Sequence, residues 1–179
     1  MKLLLHTCCA PCSIYCVDNL KSEGIEPTLY WFNPNIHPYM EYKIRKENLE
    51  KYNEMINLKL IIEDNYGLKE FCKNTINNIE NRCEYCYKVR MDQTAKYAKE
   101  KGYDCFTTTL FVSPYQKREL LKNICEEMAK KYEIEFIYRD FGIGFIEGQV
   151  KAKELDLYMQ KYCGCIFSEE ERYSNKKNI

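Results

Sequence analysis

Eleven cysteines in 179 residues are the chemical signature of this chain, and their spacing says more than their number. Three fall in His6-Thr7-Cys8-Cys9-Ala10-Pro11-Cys12, directly after the apolar run Leu3-Leu4-Leu5. Two form Cys83-x-x-Cys86, a spacing that places both thiols on one turn of a helix and within reach of one metal or cluster. Two more form Cys163-Gly164-Cys165. The vicinal pair Cys8-Cys9 with Cys83 and Cys86 offers four thiolates without a nearby histidine pair. Such a set suits a [4Fe–4S] cluster or a closed structural zinc site, and spacing alone leaves both open. A disulfide across a single residue is strained and readily reduced, so Cys163 and Cys165 read either as a redox pair or as further metal ligands.

Other candidates are weaker. Cys12 sits one helical turn from the vicinal pair, where it either faces the site or packs. Cys72 and Cys125 fall on apolar helix stripes and Cys105 begins a strand, so these three read as small core residues. Of the two histidines, His6 ends a strand close enough to orient a ligand, and His37 lies in a loop; a structural role is expected for each. Asp64 and Asp140 follow strands. Arg90, one turn beyond Cys86, reads as a helix-surface cation unless an anionic substrate or cluster lies beside it. The Thr107-Thr108-Thr109 run supplies hydroxyls at a strand end, where β-propensity alone would also place threonine.

The elements that must position these groups alternate. Strands are expected at Leu3 to Leu5, Pro27 to Phe32, Leu60 to Ile62, Cys105 to Leu110 and Ile134 to Tyr138. Helices are expected from Ile14 to Ser22, about Tyr39 to Met55, along Leu68 to Ile79, from Arg82 to Gly102, around Leu121 to Tyr132, and about Gln149 to Tyr162. The pattern implies a single α/β domain over residues 1–179, with a mostly parallel five-stranded sheet covered on both faces. In such sheets the loops at the strands' C-terminal ends gather the chemistry, here Cys8 and Cys9, Asn33 to Pro38, Asp64 and Ser113.

Composition bounds the rest. Lys plus Arg equals Asp plus Glu at 27 each, so net charge neither demands nor excludes a nucleic-acid partner. Sixteen Tyr and eight Phe would mostly fill the core, with some free to stack on unpaired bases. An odd cysteine count, a chain long enough to fold without staples, and an N-terminal apolar stretch too short for a signal peptide favour a reducing cytoplasm. No membrane span is expected.

Taken together, five motifs resemble the epoxyqueuosine reductase (QueH) family. They are His6-x-Cys8-Cys9-Ala10-Pro11-Cys12, Asn33-Pro34-Asn35-Ile36-His37-Pro38, Cys83-x-x-Cys86-Tyr87-x-x-Arg90, Thr108-Thr109-Leu110-x-x-Ser113-Pro114-Tyr115, and Tyr158-x-Gln160-x-Tyr162-Cys163-Gly164-Cys165-Ile166-Phe167-Ser168. The resemblance runs from about residue 3 to 168. It implies the last step of queuosine synthesis, reduction of the epoxide on the cyclopentane ring of the modified wobble base of tRNA to an alkene. It further implies a cobalamin-independent enzyme in which Cys8, Cys9, Cys83 and Cys86 hold a [4Fe–4S] cluster and Cys163 with Cys165 form a redox-active disulfide. Cys12 is then a reserve ligand for an additional iron, and an electron donor of unknown identity is required. The anticodon loop carrying epoxyqueuosine is the expected partner, with Tyr115, Tyr158 and Tyr162 as candidate stacking residues. Asp140-Phe141-Gly142 departs from the Asp-Phe-Arg stretch expected of many relatives, which removes a substrate-anchoring arginine at that position.

The layout also resembles the Rossmann-like adenine-nucleotide α-hydrolase group, which includes ATP-dependent tRNA sulfur transferases. Cysteines and Pro11 stand where that group carries a glycine-rich phosphate loop, so ATP use is not expected. A zinc-stabilised binding module is the remaining alternative, since four thiolates alone would serve it.

Overall fold

The computed structural model describes residues 1–174. Five strands, β1 (Leu3–His6), β2 (Thr28–Trp31), β3 (Leu60–Ile62), β4 (Cys105–Thr108) and β5 (Glu135–Phe136), form one sheet in the order β3-β2-β1-β4-β5. Every pairing is parallel, with His6 opposite Tyr30 on one side and Thr108 on the other. Central strands of parallel sheets are covered on both faces and therefore read as unbroken apolar runs. Leu3, Leu4 and Leu5 accordingly are all at most 1% exposed.

Among the described residues seven α-helices surround the sheet: α1 (Ala10–Ser22), α2 (Tyr39–Ile56), α3 (Leu68–Thr75), α4 (Arg82–Glu100), α5 (Arg118–Tyr132), α6 (Phe145–Glu154) and α7 (Ile166–Ser174). Helix α1 packs on α6 and α2, while α4 packs on α5 and against β4 and β1. The chain moves from β1 outward to β2 and β3, then returns to the other side of β1 for β4 and β5. Strand order thus reverses between β1 and β4, and the crevice beyond the C-terminal ends of these two strands is where such folds bind ligands.

Three differences from the sequence expectation bear on the site. Helix α1 starts at Ala10 rather than Ile14, because Cys9 adopts the extended N-cap conformation and Pro11 fits the first turn. This puts Cys12 on the helix, within its first turn. The last expected helix, 149–162, instead is α6, ending at Glu154. Asp156 turns left-handed at φ +51°, and Asn48 of α2 takes the backbone of Tyr158 at both ends, accepting from its N–H at 2.9 Å and donating to its carbonyl at 3.3 Å. Residues 155–165 therefore run irregularly across the strand ends, and α7 follows them. Finally, β4 stops at Thr108 and Thr109–Val112 tighten into a 3₁₀ turn, capped by Thr108 Oγ1 accepting from the Leu110 N–H.

Candidate metal and redox site

Cys8 lies two residues beyond β1, Cys9 is the N-cap of α1, and Cys12 sits in the first turn of that helix. Asn33 Nδ2 holds the Thr7 carbonyl at 2.9 Å, and Ser13 Oγ donates to the Cys9 carbonyl at 2.8 Å, so the loop is fixed from both sides. The sulfurs of Cys8, Cys9 and Cys12 all lie within 4.8 Å of one another, with Cys8 and Cys9 3.7 Å apart. Metal–sulfur bonds of about 2.3 Å in a tetrahedron separate sulfurs by about 3.8 Å, so the buried trio is spaced to hold a metal. Hydrogen bonds from Cys12 and then Cys9 push the Cys8 thiol well below its ordinary value, assisted by the Arg90 charge and by Thr109. Burial raises Cys9, and donation to Cys8 raises Cys12. Gln160 Nε2 reaches in from residues 155–165, donating to Cys9 Sγ at 2.9 Å and Cys12 Sγ at 3.5 Å.

Cys83 and Cys86 stand on the first turns of α4, outside that tight trio. Burial raises both thiols, Cys86 to about 12, and negative charge on Cys163 and Cys165 raises them further. These four sulfurs therefore share one electrostatic neighbourhood. Cys163 is exposed and accepts from Gln116 Nε2 at 3.4 Å; Cys165 is buried and accepts from the Ser168 N–H at 3.4 Å. Both are free thiols in the structure.

Arg90 joins the two groups. It is 2% exposed, donates to Asn33 Oδ1 at 2.7 Å, approaches Cys86 Sγ at 3.8 Å, and reaches His6 Nε2 at 3.4 Å. Its charge lowers Cys8 and Cys163 as well as Cys86. It is thus a core cation, not the surface residue its helix position allowed. Burial, and then Arg90, depress His6 to about 3, so that ring is neutral between Thr108 Oγ1 at 2.9 Å and the Phe32 carbonyl at 3.2 Å.

A second buried arginine fixes Cys163-Gly164-Cys165. Arg45 of α2 donates to the carbonyls of Cys163 and Tyr162, each at 2.9 Å, and pairs with Glu41 at 2.7 Å. His37 N–H donates to the Gly164 carbonyl at 2.8 Å, and the Ile166 N–H donates back to His37 Nδ1 at 3.3 Å. Gly164 itself has φ +151°, a conformation that favours glycine.

The remaining candidates sort by environment. Cys16, Cys105 and Cys125 are fully buried core residues and Cys72 is half-buried. Asp64 is taken by Lys46 and Tyr42, and Asp140 by Arg118, so neither carboxylate is a free site group. The Arg118 guanidinium fills the space a side chain at Gly142 would occupy, which supplies from α5 a cation beside the position where relatives were expected to carry arginine. Tyr115 is 81% exposed. Tyr158 and Tyr162 are instead tied down, Tyr158 Oη donating to Glu41 at 2.6 Å and Tyr162 Oη to the His37 carbonyl at 2.5 Å. Arg45, Asn33, Gln116 and Gln160 received no role from sequence. Asn33 and Gln160 lie inside motifs shared with the QueH family, whereas Arg45 and Gln116 carry no signal beyond ordinary helix and loop polarity.

The sequence model of the family described as "Epoxyqueuosine reductase QueH" matches residues 3–171. The chain belongs to this family. Among curated QueH reductases it is 41% identical to that of Dehalococcoides mccartyi over 96% of this chain and 94% of the relative. It is 31% identical to that of Thermotoga maritima over 99% and 95%, and 34% identical to that of Histophilus somni over 93% and 72%. In fold it is similar to the predicted subunit of a tRNA methyltransferase from Methanocaldococcus jannaschii, with TM-score 0.56 and 17% identity over 85% of this chain and 75% of that one. Among the described residues no helix is long and apolar enough to cross a membrane.

Proposed function

We propose that this QueH-family protein is a single-domain cytoplasmic reductase that converts epoxyqueuosine to queuosine at the wobble position of tRNA. The observation that carries the reading is the buried Arg90 guanidinium. No carboxylate pairs with it among the described residues, and its neighbours are thiols, Asn33 and a neutral His6. Buried cations require compensating negative charge, and thiolates around it supply that charge. The donor set therefore fits an anionic thiolate-bound group such as a [4Fe–4S] cluster, with Cys8, Cys9, Cys83 and Cys86 as ligands and Cys12 available to an additional iron. When bound, the cluster supplies low-potential electrons one at a time.

The chain's own groups account for the rest. Reduction of the epoxide to an alkene consumes two electrons and two protons and releases water. Oxidation of Cys163 and Cys165 to a disulfide releases two electrons and two protons, so the dithiol balances one turnover, and an external donor restores it. Gln116 orients the Cys163 sulfur, while Arg45 and His37 hold the turn that carries both thiols. The wobble base would be splayed out of the anticodon loop, with the exposed Tyr115 ring available to stack on it.

The test is anaerobic purification followed by incubation with epoxyqueuosine-bearing tRNA. Brown protein with iron and sulfide in equal amounts, and nucleoside mass falling by one oxygen, is the expected result. Binding should weaken as salt rises, because phosphate contacts release counterions. Colourless zinc-loaded protein without turnover would overturn the proposal.

A further inference from the structure

Gln160 reaches the thiol trio from a segment that is fixed on both sides of it. Asn48 holds the backbone of Tyr158, and Arg45 holds the carbonyls of Tyr162 and Cys163. Between these anchors the Gln160 amide turns its nitrogen to the sulfurs, 2.9 Å from Cys9 Sγ and 3.5 Å from Cys12 Sγ. Its Oε1 is buried and has no hydrogen-bond partner among the described residues. A bare buried acceptor is unfavourable, and a neutral thiol is too weak an acceptor to offset it. A thiolate can offset it, because a hydrogen bond to an ionised acceptor is roughly twice as strong as a neutral one. A metal deprotonates the thiols that bind it outright, and so supplies such charge at Cys9. The orientation of this amide therefore fits metal-bound sulfur.

We infer that Gln160 is a positioning residue that tunes the metal group, its amide donating to the Cys9 sulfur and favouring the reduced state over the oxidised one. The assignment rests on the proposed thiolate-bound iron–sulfur cluster. Reduction adds negative charge, part of which lies on the ligand sulfurs, so an N–H aimed at one of them gains most in the reduced state. Hydrogen bonds to the sulfurs are among the factors that set the potential of such clusters. Two features strengthen the effect here. Cys9 is 1% exposed, so water competes little for its sulfur and the hydrogen bond acts in a low local dielectric. Asn48 and Arg45 hold the donor's backbone in place, so the amide is set before the electron arrives. Gln160 stands three residues before Cys163. The stretch that carries the dithiol thus also sets how readily the metal group takes an electron.

Two variants of the anaerobically purified holoenzyme test this, Gln160→Met and Gln160→Leu. Methionine keeps the length of the side chain and removes the N–H donors; leucine removes both. Each variant is read by iron content and by the midpoint potential from a redox titration followed by electron paramagnetic resonance. At a fixed solution potential the ratio of reduced to oxidised cluster should fall about tenfold in both, a downward shift of about 59 mV for one electron. Iron content should stay at the wild-type level. A role in packing alone predicts a wild-type potential in Gln160→Met, and that result in iron-replete protein would overturn the assignment while leaving the cluster and the reductase activity standing. Loss of iron from both variants would overturn it too, making Gln160 a residue that retains the metal. Should one variant lose iron, the other decides. Wild-type protein that holds no iron would instead defeat the proposed cluster, and this assignment with it.

Discussion

Arg90 points its guanidinium back along α4 toward Cys86, 3.8 Å from Nη1 to Sγ, in a place where no carboxylate pairs with it among the described residues. A cation held there favours whichever oxidation state of a neighbouring metal group carries more negative charge, that is, the reduced one. Arg90→Met removes that preference. At an effective dielectric of about 20, a charge some 5 Å away is worth roughly 3 kcal/mol, so the midpoint potential of the proposed cluster should fall by on the order of 100 mV. Potentiometric titration of anaerobic wild-type and variant protein checks this, with Arg90→Lys expected to recover most of the difference. An unchanged potential would separate Arg90 from the metal site.

Much of this arrangement was legible in the sequence because it is local. Alternating strands and helices imply a parallel sheet, and the short apolar run Leu3 to Leu5 followed by Cys8, Cys9 and Cys12 puts three thiols at one strand end, although the sequence pattern starts the helix only at Ile14. The Cys-x-x-Cys spacing placed two more on one helical turn. Arg45 is not legible, because its role depends on the irregular segment 155–165 lying across α2, and the sequence pattern predicts a helix for most of that segment. Gln160 is hidden for the same reason, since its amide reaches Cys9 and Cys12 only because the helix stops at Glu154. Tertiary contacts such as those of Asn48 with Tyr158 override local periodicity there, and no pattern within residues 149–162 encodes them.

His37 should make stability depend on pH. Burial lowers its folded-state value to about 4, against an ordinary 6.5 in the unfolded chain. Between those values the unfolded state binds more protons, so this contribution is complete above about pH 6.5 and is lost as pH falls toward 4. From pH 7.5 to 5.0 the loss attributable to His37 is about 2 kcal/mol. Denaturant unfolding at the two pH values should show a difference smaller by about that amount in His37→Gln. An identical pH dependence would remove His37 as its source.

Arg45 should separate the redox turn from the metal. Arg45→Met abolishes both carbonyl contacts to Tyr162 and Cys163 and leaves the mostly buried Glu41 without its cation. Breaking such a pair costs about 3 kcal/mol, visible as a lower unfolding midpoint. Iron content should remain, because Arg45 bonds none of the proposed ligands, while steady-state turnover drops about tenfold as Cys163 and Cys165 lose their fixed geometry. Gly164→Ala should mimic the turnover defect at lower cost, since a Cβ there lies 3.3 Å from Ile36 and must adopt φ +151°. Unaltered turnover in both variants would show that the turn need not be held.

Cys163 and Cys165 carry the sharpest test, because the two roles open to them predict opposite outcomes. As a dithiol that balances the epoxide's two electrons and two protons, the pair is needed once per turnover and contributes nothing to metal retention. Cys163→Ser and Cys165→Ser should then keep wild-type iron and visible absorbance yet reduce multiple turnover by at least a hundredfold, as loss of a reacting group does. Gln116→Leu is the milder companion. It removes the donor 3.4 Å from Cys163 Sγ without touching the sulfur, and should slow turnover only several-fold. Thiol counting after one round with epoxyqueuosine-tRNA and no external donor adds an independent readout: two fewer free thiols per product formed in wild type, and none lost in either serine variant. If the serine variants instead lose iron in step with activity, the pair ligates metal, and the electrons must reach the epoxide without a dithiol.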